Sequence, residues 1–326
     1  MKSIIFLLFA LSVASSSQAA SFDCVKAVTK MEKAICASPE LSRLDEVLAA
    51  SYKSAKNRLS TQSASMLMKG QVSWLRYTAS YCFVDYDAMP ASPANANKCL
   101  IDTFSIRIEQ LNATGGVVAG YKTYLMINDS IKIVPTEKFI YTIERSYPQV
   151  DSEAENGTKL NKFLADIEVV MADDSRGSES YSVSLKQLTT DWLVKELHAD
   201  HMIGAYPQTT NSCSIYSLEF NRAVRYGDIF MNRSWQTIAK TAVSNHFKAL
   251  ARKEKDFPLE MLGGYEQFEV SMEKDFQFCL SSKGIFVEGF LPHVVQALDG
   301  VTIGWDMFKH VLTPSALKQI SQISSN

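Results

Sequence analysis

The sequence predicts an all-α, disulfide-stapled N-terminal domain followed by an α+β C-terminal domain with a mainly antiparallel sheet. Apolar residues recur at helical spacing up to about residue 112, and Thr114-Gly115-Gly116 then breaks the chain. From Tyr121 the apolar residues alternate with a period of two, as in strands. The predicted divisions are a signal peptide at 1–19, the helical domain at 20–112, a linker at 113–119 and the α+β domain at 120–326.

The helical domain begins with two clear start signals. Thr29 and Glu32 fit a capping box ahead of a short helix that ends near Cys36. Ser38-Pro39-Glu40 combines an N-cap serine, a first-turn proline and an acid at the positive helix end. The second helix then has one apolar stripe, made of Leu41, Leu44, Leu48, Tyr52, Ala55 and Leu59.

Two further helices complete this domain. The third is expected to place one apolar face inward, with Trp74 beside it; that face consists of Met68, Val72, Leu75, Ala79 and Cys82. Residues 85–98 are polar and contain proline, so we expect a loop there. Cys99 to Asn112 then form the fourth helix.

The C-terminal domain mixes strands and helices without repeated βαβ units, which favours α+β over a doubly wound sheet. Strands are predicted at 124–127, 131–133, 139–143, 181–188, 192–198, 214–220, 276–280, 285–288 and 301–303. One helix is expected to bury Leu160, Phe163, Leu164, Ile167 and Val170. A second is capped by Ser234 and ends at Arg252-Lys253, and a short third follows Pro314.

The composition indicates a soluble globular protein. The chain has 326 residues, of which 46% are hydrophobic and 21% charged, so it can bury a sizeable core. Lys and Arg total 33 against 35 Asp and Glu, a formal net charge of −2. This balance argues against a nucleic-acid-binding protein, which usually carries a basic excess.

The first twenty residues have the pattern of a secretory signal peptide. A basic start at Lys2 precedes an apolar run from Ile4 to Ala14, which is too short to span a bilayer of about 30 Å. Ser17 and Ala19 are small residues at a plausible cleavage site; the alternative is a buried N-terminal strand or helix. No later apolar run is long enough to cross a membrane, so we expect a periplasmic or secreted protein without a transmembrane segment.

Six cysteines lie in the exported part of the chain, which indicates three disulfides in an oxidising compartment. No CxxC pair occurs, so neither a zinc ribbon nor a thioredoxin-type redox pair is supported. Six cysteines allow fifteen connectivities. The sequence does not choose among them; pairing within each domain is the simplest arrangement, and within it we favour Cys24–Cys36, Cys82–Cys99 and Cys213–Cys279.

The N-terminal motifs resemble a known family. Phe22-Asp23-Cys24, Glu32-Lys-Ala-Ile-Cys36, Trp74-Leu75-Arg76 and Cys99-Leu100 occur in the order found in the LprI-type lysozyme-inhibitor N-terminal domain, and the resemblance covers residues 22–112. It implies an exported module, in some members linked to blocking lysozyme. The segment between Cys82 and Cys99 is longer here than is usual for that family.

The C-terminal domain resembles the RsiV-type lysozyme-sensing and peptidoglycan-deacetylase accessory domain over about 120–315. The matching segments are Ala205-Tyr206-Pro207, Ser217-Leu-Glu-Phe220, Lys283-Gly284-Ile285, Pro292 and Ile303-Gly-Trp305. This chain departs from that family at Ile203-Gly204-Ala205-Tyr206 and at His293. The resemblance implies binding residues in two segments, which hold Tyr206, Pro207, Pro292 and His293.

The sequence offers little catalytic chemistry. It contains no HExxH, GxSxG, P-loop or GxGxxG motif, and we expect neither a cofactor nor a metal. His198-Ala-Asp-His201 is a possible metal cluster only if both imidazoles converge; we expect a solvated loop there. His246 falls in a helical apolar stripe and is expected in the core, and Asp173-Asp174 in an exposed turn.

These features predict a non-catalytic envelope protein that binds another protein, with inhibition of a C-type lysozyme or other cell-wall hydrolase as the sharper hypothesis. Residues 117–326 carry 21 basic and 26 acidic side chains, a surface charge that would steer a cationic partner. The alternative is a peptidoglycan- or glycan-binding module or an envelope sensor. An enzyme using His198 or His201 is a third possibility.

Overall fold

The structure is a computed structural model that describes most of the chain. The described residues are 20–84, 92–134, 139–167, 178–203, 206–253, 278–287 and 300–323. The predicted signal peptide at 1–19, the acid pair Asp173-Asp174 and the two residues Pro292 and His293 lie outside them.

The helical part consists of α1 (Lys30–Ala37), α2 (Pro39–Asn57), α3 (Thr61–Tyr81) and α4 (Pro93–Asn112). Both predicted start signals are confirmed: Thr29 and Glu32 form a capping box, and Ser38 caps α2 with proline in its first turn. α4 begins at Pro93, so the predicted loop at 85–98 is wrong over 93–98. Ser92, whose Oγ accepts from the amide of Asn95 at 3.1 Å, and Pro93 form a third start signal of the same type.

The buried face of α3 differs from the predicted one. Met68 and Val72 are 45% and 40% exposed, whereas the inward face holds Leu67, Gly70, Gln71, Trp74 and Tyr77. A Cβ at Gly70 would lie only 3.2 Å from the backbone nitrogen of Ile127, so the absence of a side chain lets α3 approach β2 closely. Burying the large aromatic side chain of Trp74 removes more apolar surface from water than burying Met68 and Val72 would, so the Trp74 side of α3 faces inward.

The C-terminal part has a large sheet and a small one. The large sheet contains β1 (Val117–Val118), β2 (Tyr121–Ile127), β3 (Ser130–Val134), β4 (Phe139–Val150), β5 (Ser178–Gln187), β6 (Trp192–Ile203), β7 (Tyr206–Ser217) and β8 (Arg222–Ala223). Its order is β1-β2-β4-β5-β6-β7-β8, with β3 also paired to β4. All pairs are antiparallel except β4 with β5, which confirms the predicted α+β class with a mainly antiparallel sheet.

The small sheet and the remaining helices lie against the two faces of the large sheet. The strands are β9 (Phe278–Leu280), β10 (Gly284–Val287) and β11 (Val301–Gly304), all antiparallel in the order β11-β10-β9. The helices are α5 (Glu155–Ala165), α6 (Tyr226–Ile229), α7 (Ser234–Lys253) and α8 (Pro314–Ile323). The small sheet, α7 and α8 pack against Trp192 and Ile215 of the large sheet, whereas α5 packs against Leu193 and Tyr216 on its opposite face. α5 lies in the crossover between β4 and β5, because two parallel strands cannot be joined by a tight turn.

Several predicted positions are corrected. β6 continues to Ile203, so His198 and His201 lie in a strand and not in a solvated loop. His246 is exposed, so its prediction as a core residue is wrong. Ile167 follows the end of α5 and is not part of that helix, and Val170 lies outside the described residues.

The helical part and the sheet share a hydrophobic core. The shared cluster includes Leu67, Trp74, Leu100, Phe104 and Leu111 from the helices and Tyr124, Met126 and Ile127 from β2. Residues predicted as a linker are hydrogen-bonded to β2: the amide of Gly115 donates to the carbonyl of Thr123 at 2.7 Å, and the amide of Thr123 donates to the carbonyl of Gly116 at 2.7 Å. The helical part therefore packs against β2 of the sheet.

A second core lies between the large sheet, the small sheet, α7 and α8. It contains Trp192, Ile215, Phe230, Trp235, Val243, Ile285, Val287, Ile303, Trp305, Phe308 and Ile320, among others. The disulfide Cys213–Cys279 joins β7 to β9 beside this core, and Cys24–Cys36 and Cys82–Cys99 lie in the helical part. All three predicted pairings are confirmed.

Candidate functional site

One face of β5, β6 and β7 presents polar side chains beside the Cys213–Cys279 disulfide. Because strand residues alternate between faces, every second residue of β6 points to this side. Register places Ser182 opposite His198 and His198 opposite Asn211, so the three strands contribute to one surface. We call this surface the polar face, defined by Ser182, Ser184, Glu196, His198, Asp200, Thr209 and Asn211.

His198 is at the centre of the polar face. Its Nδ1 lies 2.7 Å from Oδ1 of Asn211 and its Nε2 lies 3.1 Å from Oδ2 of Asp200. The hydroxyl of Thr209 donates to Oδ1 of Asp200 at 2.6 Å. The imidazole is thus held between β6 and β7 while about half of its side chain, 49%, remains exposed.

Glu196 adds a second carboxylate to the polar face. Its Oε2 accepts from the hydroxyl of Ser184 at 2.9 Å and lies 2.6 Å from Nζ of Lys186. Both side chains of the ion pair are well exposed, so the pair contributes little to stability and can exchange partners. Two carboxylates and an imidazole on an exposed strand surface suit contact with Arg and Lys side chains of a partner.

His201 lies on the opposite, buried side of the sheet. Only 8% of His201 is exposed, and its ring meets the ring of Tyr181 edge-on, with centroids 5.5 Å apart. The hydroxyl of Tyr181 donates to Oε2 of Glu179 at 2.8 Å, and burial together with this bond raises the pKa of Tyr181. Strand alternation therefore separates His198 from His201. Among the described residues, no group of three or more His, Cys, Asp or Glu side chains is placed to hold a metal ion.

Lys195 fixes β6 from the buried side. Its ammonium donates to the backbone carbonyl of Phe163 at 2.9 Å and also to the carbonyl of Asp166, at the end of α5. Only 5% of Lys195 is exposed, and burial lowers its pKa. This contact holds α5 against the strand whose other face carries Glu196 and His198, which keeps the polar face in place.

The polar face borders a cleft between the two sheets. The cleft has a volume of about 490 Å³, and its walls include Glu196, His198, Cys213, Cys279 and Phe286. In the sequence, polar residues occupy every second position of 180–186 and 196–200, which is the pattern of this face. Because the sequence does not show which strand residues pair, it pointed only to His198, Asp200 and His201.

The binding residues expected from the sequence are placed only in part. The backbones of Tyr206 and Pro207 begin β7, where Tyr206 pairs with Ile203 and Pro207 with Met202. They lie just beyond the Asp200 and Thr209 pair, on the same two strands. The side chains of Tyr206 and Pro207, and both Pro292 and His293, lie outside the described residues.

Among the solved structures that match, two proteins of the DUF3298 family show weak similarity to this chain. A member of the DUF3298 family from Bacteroides fragilis NCTC 9343 is 14% identical with a TM-score of 0.43, over 66% of this chain and 100% of that chain. A DUF3298 family protein from Pseudomonas aeruginosa PAO1 is 8% identical with a TM-score of 0.42, over 60% and 96%. Neither TM-score supports a conclusion about this chain, and the RsiV-type resemblance stays a prediction.

The comparison with family models concerns the helical part. No curated protein matches the sequence. Residues 24–111 match the family model described as Lysozyme inhibitor LprI. That stretch holds α1 to α4 and two of the three disulfides. Over residues 24–111, the chain is therefore similar to the lysozyme inhibitor LprI.

Proposed function

We propose that this protein is exported to the cell envelope and binds a cationic cell-wall hydrolase, with a C-type lysozyme as the first partner to test. The observation that carries the proposal is the match of residues 24–111 to a lysozyme-inhibitor family. Inhibition would come from blocking the substrate cleft of the partner, and the protein itself would catalyse no reaction.

The disulfides support an extracytoplasmic location. All six cysteines of the chain are paired in the structure. Such bonds persist in oxidising compartments and are rare in reducing ones. No helix in the described part of the chain has both the length and the apolar character needed to cross a membrane.

We also propose that residues 1–19 are removed on export, leaving Ala20 as the first residue. Ala20 is only 9% exposed and packs with the helical core, so the mature N-terminus would be anchored. Mass measurement of protein recovered from the periplasm or medium tests the cleavage. A mass equal to the full 36.3 kDa chain would contradict export by this route.

A turbidity assay tests inhibition directly. Purified mature protein, mixed with C-type lysozyme before addition of cell walls, is expected to slow clearing in proportion to its concentration. The same protein with its disulfides reduced and alkylated serves as the matched control, because the two helical-part disulfides hold the inhibitor-like fold together. No slowing at large molar excess would remove the proposal for that lysozyme.

The polar face is the contact we propose for electrostatic steering. Changing Glu196 to Gln and Asp200 to Asn removes two acidic groups from one exposed surface. We expect slower association at low salt and a smaller salt dependence, since surface charges act mainly on the encounter rate. Glu155→Gln, an exposed carboxylate on α5, is the control.

We further propose contacts at Tyr206, Pro207, Pro292 and His293, which alanine substitution would test.

Retention on insoluble peptidoglycan separates the alternative glycan-binding function. Binding of the protein to peptidoglycan without lysozyme, combined with no effect on clearing by lysozyme, would favour that alternative. Binding to lysozyme without retention on peptidoglycan would favour the inhibitor.

A further inference from the structure

A short loop at the start of the helical part exposes apolar side chains on a rigid frame. We call residues 24–29 the Cys24 loop. Val25 is 94% exposed and Val28 is 75% exposed, the two highest values among the exposed large hydrophobic residues of the described part. The 3-10 turn at Cys24–Lys26 contains no buried residue, so the conformation of the loop does not come from packing of its own side chains.

Hydrogen bonds and a disulfide hold the loop. Five consecutive backbone amides donate: Val25 to Oδ1 of Asp23 (3.0 Å), Lys26 to the carbonyl of Asp23 (2.9 Å), Ala27 to the carbonyl of Cys24 (3.2 Å), and Val28 and Thr29 to Oε2 of Glu32 (2.9 and 2.8 Å). Cys24 is bonded to Cys36 in α1, and α1 is anchored by the buried Ile35. With the five amides from Val25 to Thr29 all hydrogen-bonded, the loop is pre-organised.

The charges of the loop are arranged so that its cation faces outward. Lys26 stands between the two exposed valines, and its side chain is 83% exposed. Its ammonium is 3.7 Å from Oδ2 of Asp23, a long exposed contact that holds it only weakly. Asp23 and Glu32 are engaged in accepting the backbone amides of the loop, and those bonds lower the pKa of Glu32. Lys26 is therefore available to an acidic partner.

We propose that the Cys24 loop is the segment that enters the substrate cleft of the partner hydrolase, where Lys26 pairs with the carboxylates of the cleft and Val25 and Val28 contact its apolar walls. This rests on the proposed function and adds which residues enter the cleft. Most glycoside hydrolases hold two Asp or Glu side chains on either side of the scissile bond, so an exposed lysine between apolar groups is complementary to such a cleft. A loop that is already ordered loses little conformational entropy on insertion.

The charge reversal Lys26→Glu tests the contact in the mature protein. We expect inhibition of lysozyme to weaken at least about tenfold, because the variant places a carboxylate beside those of the cleft. Lys26→Arg, which keeps the charge, is expected to inhibit within about threefold of the unchanged protein. Lys53→Glu, an exposed lysine of α2, is the matched control and is expected to inhibit within about twofold. Circular dichroism and a thermal midpoint near that of the unchanged protein establish that each variant is folded.

A double-mutant cycle identifies the group that Lys26 meets. Binding is measured, without turnover, to a lysozyme whose two catalytic carboxylates are changed to amides. If Lys26 pairs with them, the penalty of Lys26→Glu falls from at least about tenfold to about twofold. An undiminished penalty would place the contact elsewhere and overturn the proposal.

The two proposals fail in different ways. Inhibition by both the unchanged protein and Lys26→Glu at equal strength would overturn the loop contact and leave lysozyme inhibition standing. Absence of inhibition and binding by the unchanged protein would overturn both.

Discussion

Arg107 of α4 donates from its Nε to Oε1 of Gln71 in α3 at 2.9 Å, inside the core that the helices share with β2. Its Nη1 also donates to Oε1 of Gln110 at 3.1 Å, and only 1% of Arg107 is exposed. Burial lowers the pKa of Arg107 to about 10, with attraction to Asp129 acting in the opposite direction. A charged side chain so deeply placed makes the packing of α3 on α4 depend on these bonds.

Replacing Arg107 by Ala should therefore destabilise the fold. The change removes two hydrogen bonds, leaves Gln71 without its partner and opens a cavity, so we expect a loss of about 3 kcal/mol in the free energy of unfolding. Urea unfolding measures it. Arg43→Ala, an exposed arginine of α2, should change stability by less than about 0.5 kcal/mol, and equal losses in the two variants would contradict this account.

Asp129 occupies a cleft where the helical part meets the sheet. The cleft has a volume of about 170 Å³ and is lined by Tyr77, Asp129 and Glu144, among others, with the hydroxyl of Tyr77 donating to Oε1 of Glu144. Burial is the main cause that raises the pKa of Asp129 to about 7, and repulsion from Glu144 adds to it. The amide of Arg145, which donates to Oδ1 of Asp129 at 3.0 Å, and the charge of Arg107 act against the rise.

The raised pKa makes Asp129 destabilising at neutral and alkaline pH. Between its ordinary value of 3.8 and about 7 the folded protein retains a proton that the unfolded chain has lost, so this contribution to stability falls as pH rises through that window. Asp129→Asn should raise stability by on the order of 1 kcal/mol at pH 8 and by nothing below about pH 4.

Thermal unfolding across pH checks the Asp129 prediction. Lys69 and Arg76 of α3 border Asp129 in an adjoining groove, so the profile should be repeated at high salt to screen them. Asp102→Asn, an exposed carboxylate paired with Lys98, is the control and should show no comparable gain at pH 8. A gain in Asp129→Asn that is the same at all pH values would refute the buried-carboxylate explanation.

The disulfides should differ in their contribution to stability. Cys213–Cys279 closes a separation of 66 residues and Cys24–Cys36 one of 12. From loop-closure entropy, replacing the first pair by Ser should cost about 4 kcal/mol and the second about 3 kcal/mol. Chemical denaturation of the two double variants gives the comparison. A larger loss for the shorter loop would show that native packing, not chain entropy, decides the order.

Gly284 is required where β10 meets β11. Its φ of +154° is unfavourable for other residues, and a Cβ there would lie 2.0 Å from the carbonyl oxygen of Ile303. Gly284→Ala should therefore cost more than about 2 kcal/mol, measured by thermal unfolding. Gly227→Ala is the control, because a Cβ at Gly227 meets nothing within 4 Å and alanine favours the helix. Equal midpoints in the two variants would contradict the close approach.

Local sequence patterns predicted much of the fold. The capping residues at Thr29 and Ser38 and the three cysteine pairs were correctly predicted, because a cap depends on neighbouring residues and each disulfide joins two successive cysteines of one domain. The change from a helical period to alternation near Tyr121 likewise marked β2, the first long strand of the sheet, since each period reflects which side chains face the core.

Only the tertiary structure decided which face of α3 is buried and which strand residues form the polar face. The inward face of α3 was misassigned, because the close approach of Gly70 to Ile127 involves a strand distant in sequence. The polar face also depends on register: Glu196, His198 and Asn211 meet only when three strands align, and that pairing is set by contacts across the sheet. The sequence by itself therefore determined the caps, the covalent links and the order of elements, whereas folding decided which side chains gather at a surface, because that depends on non-local packing.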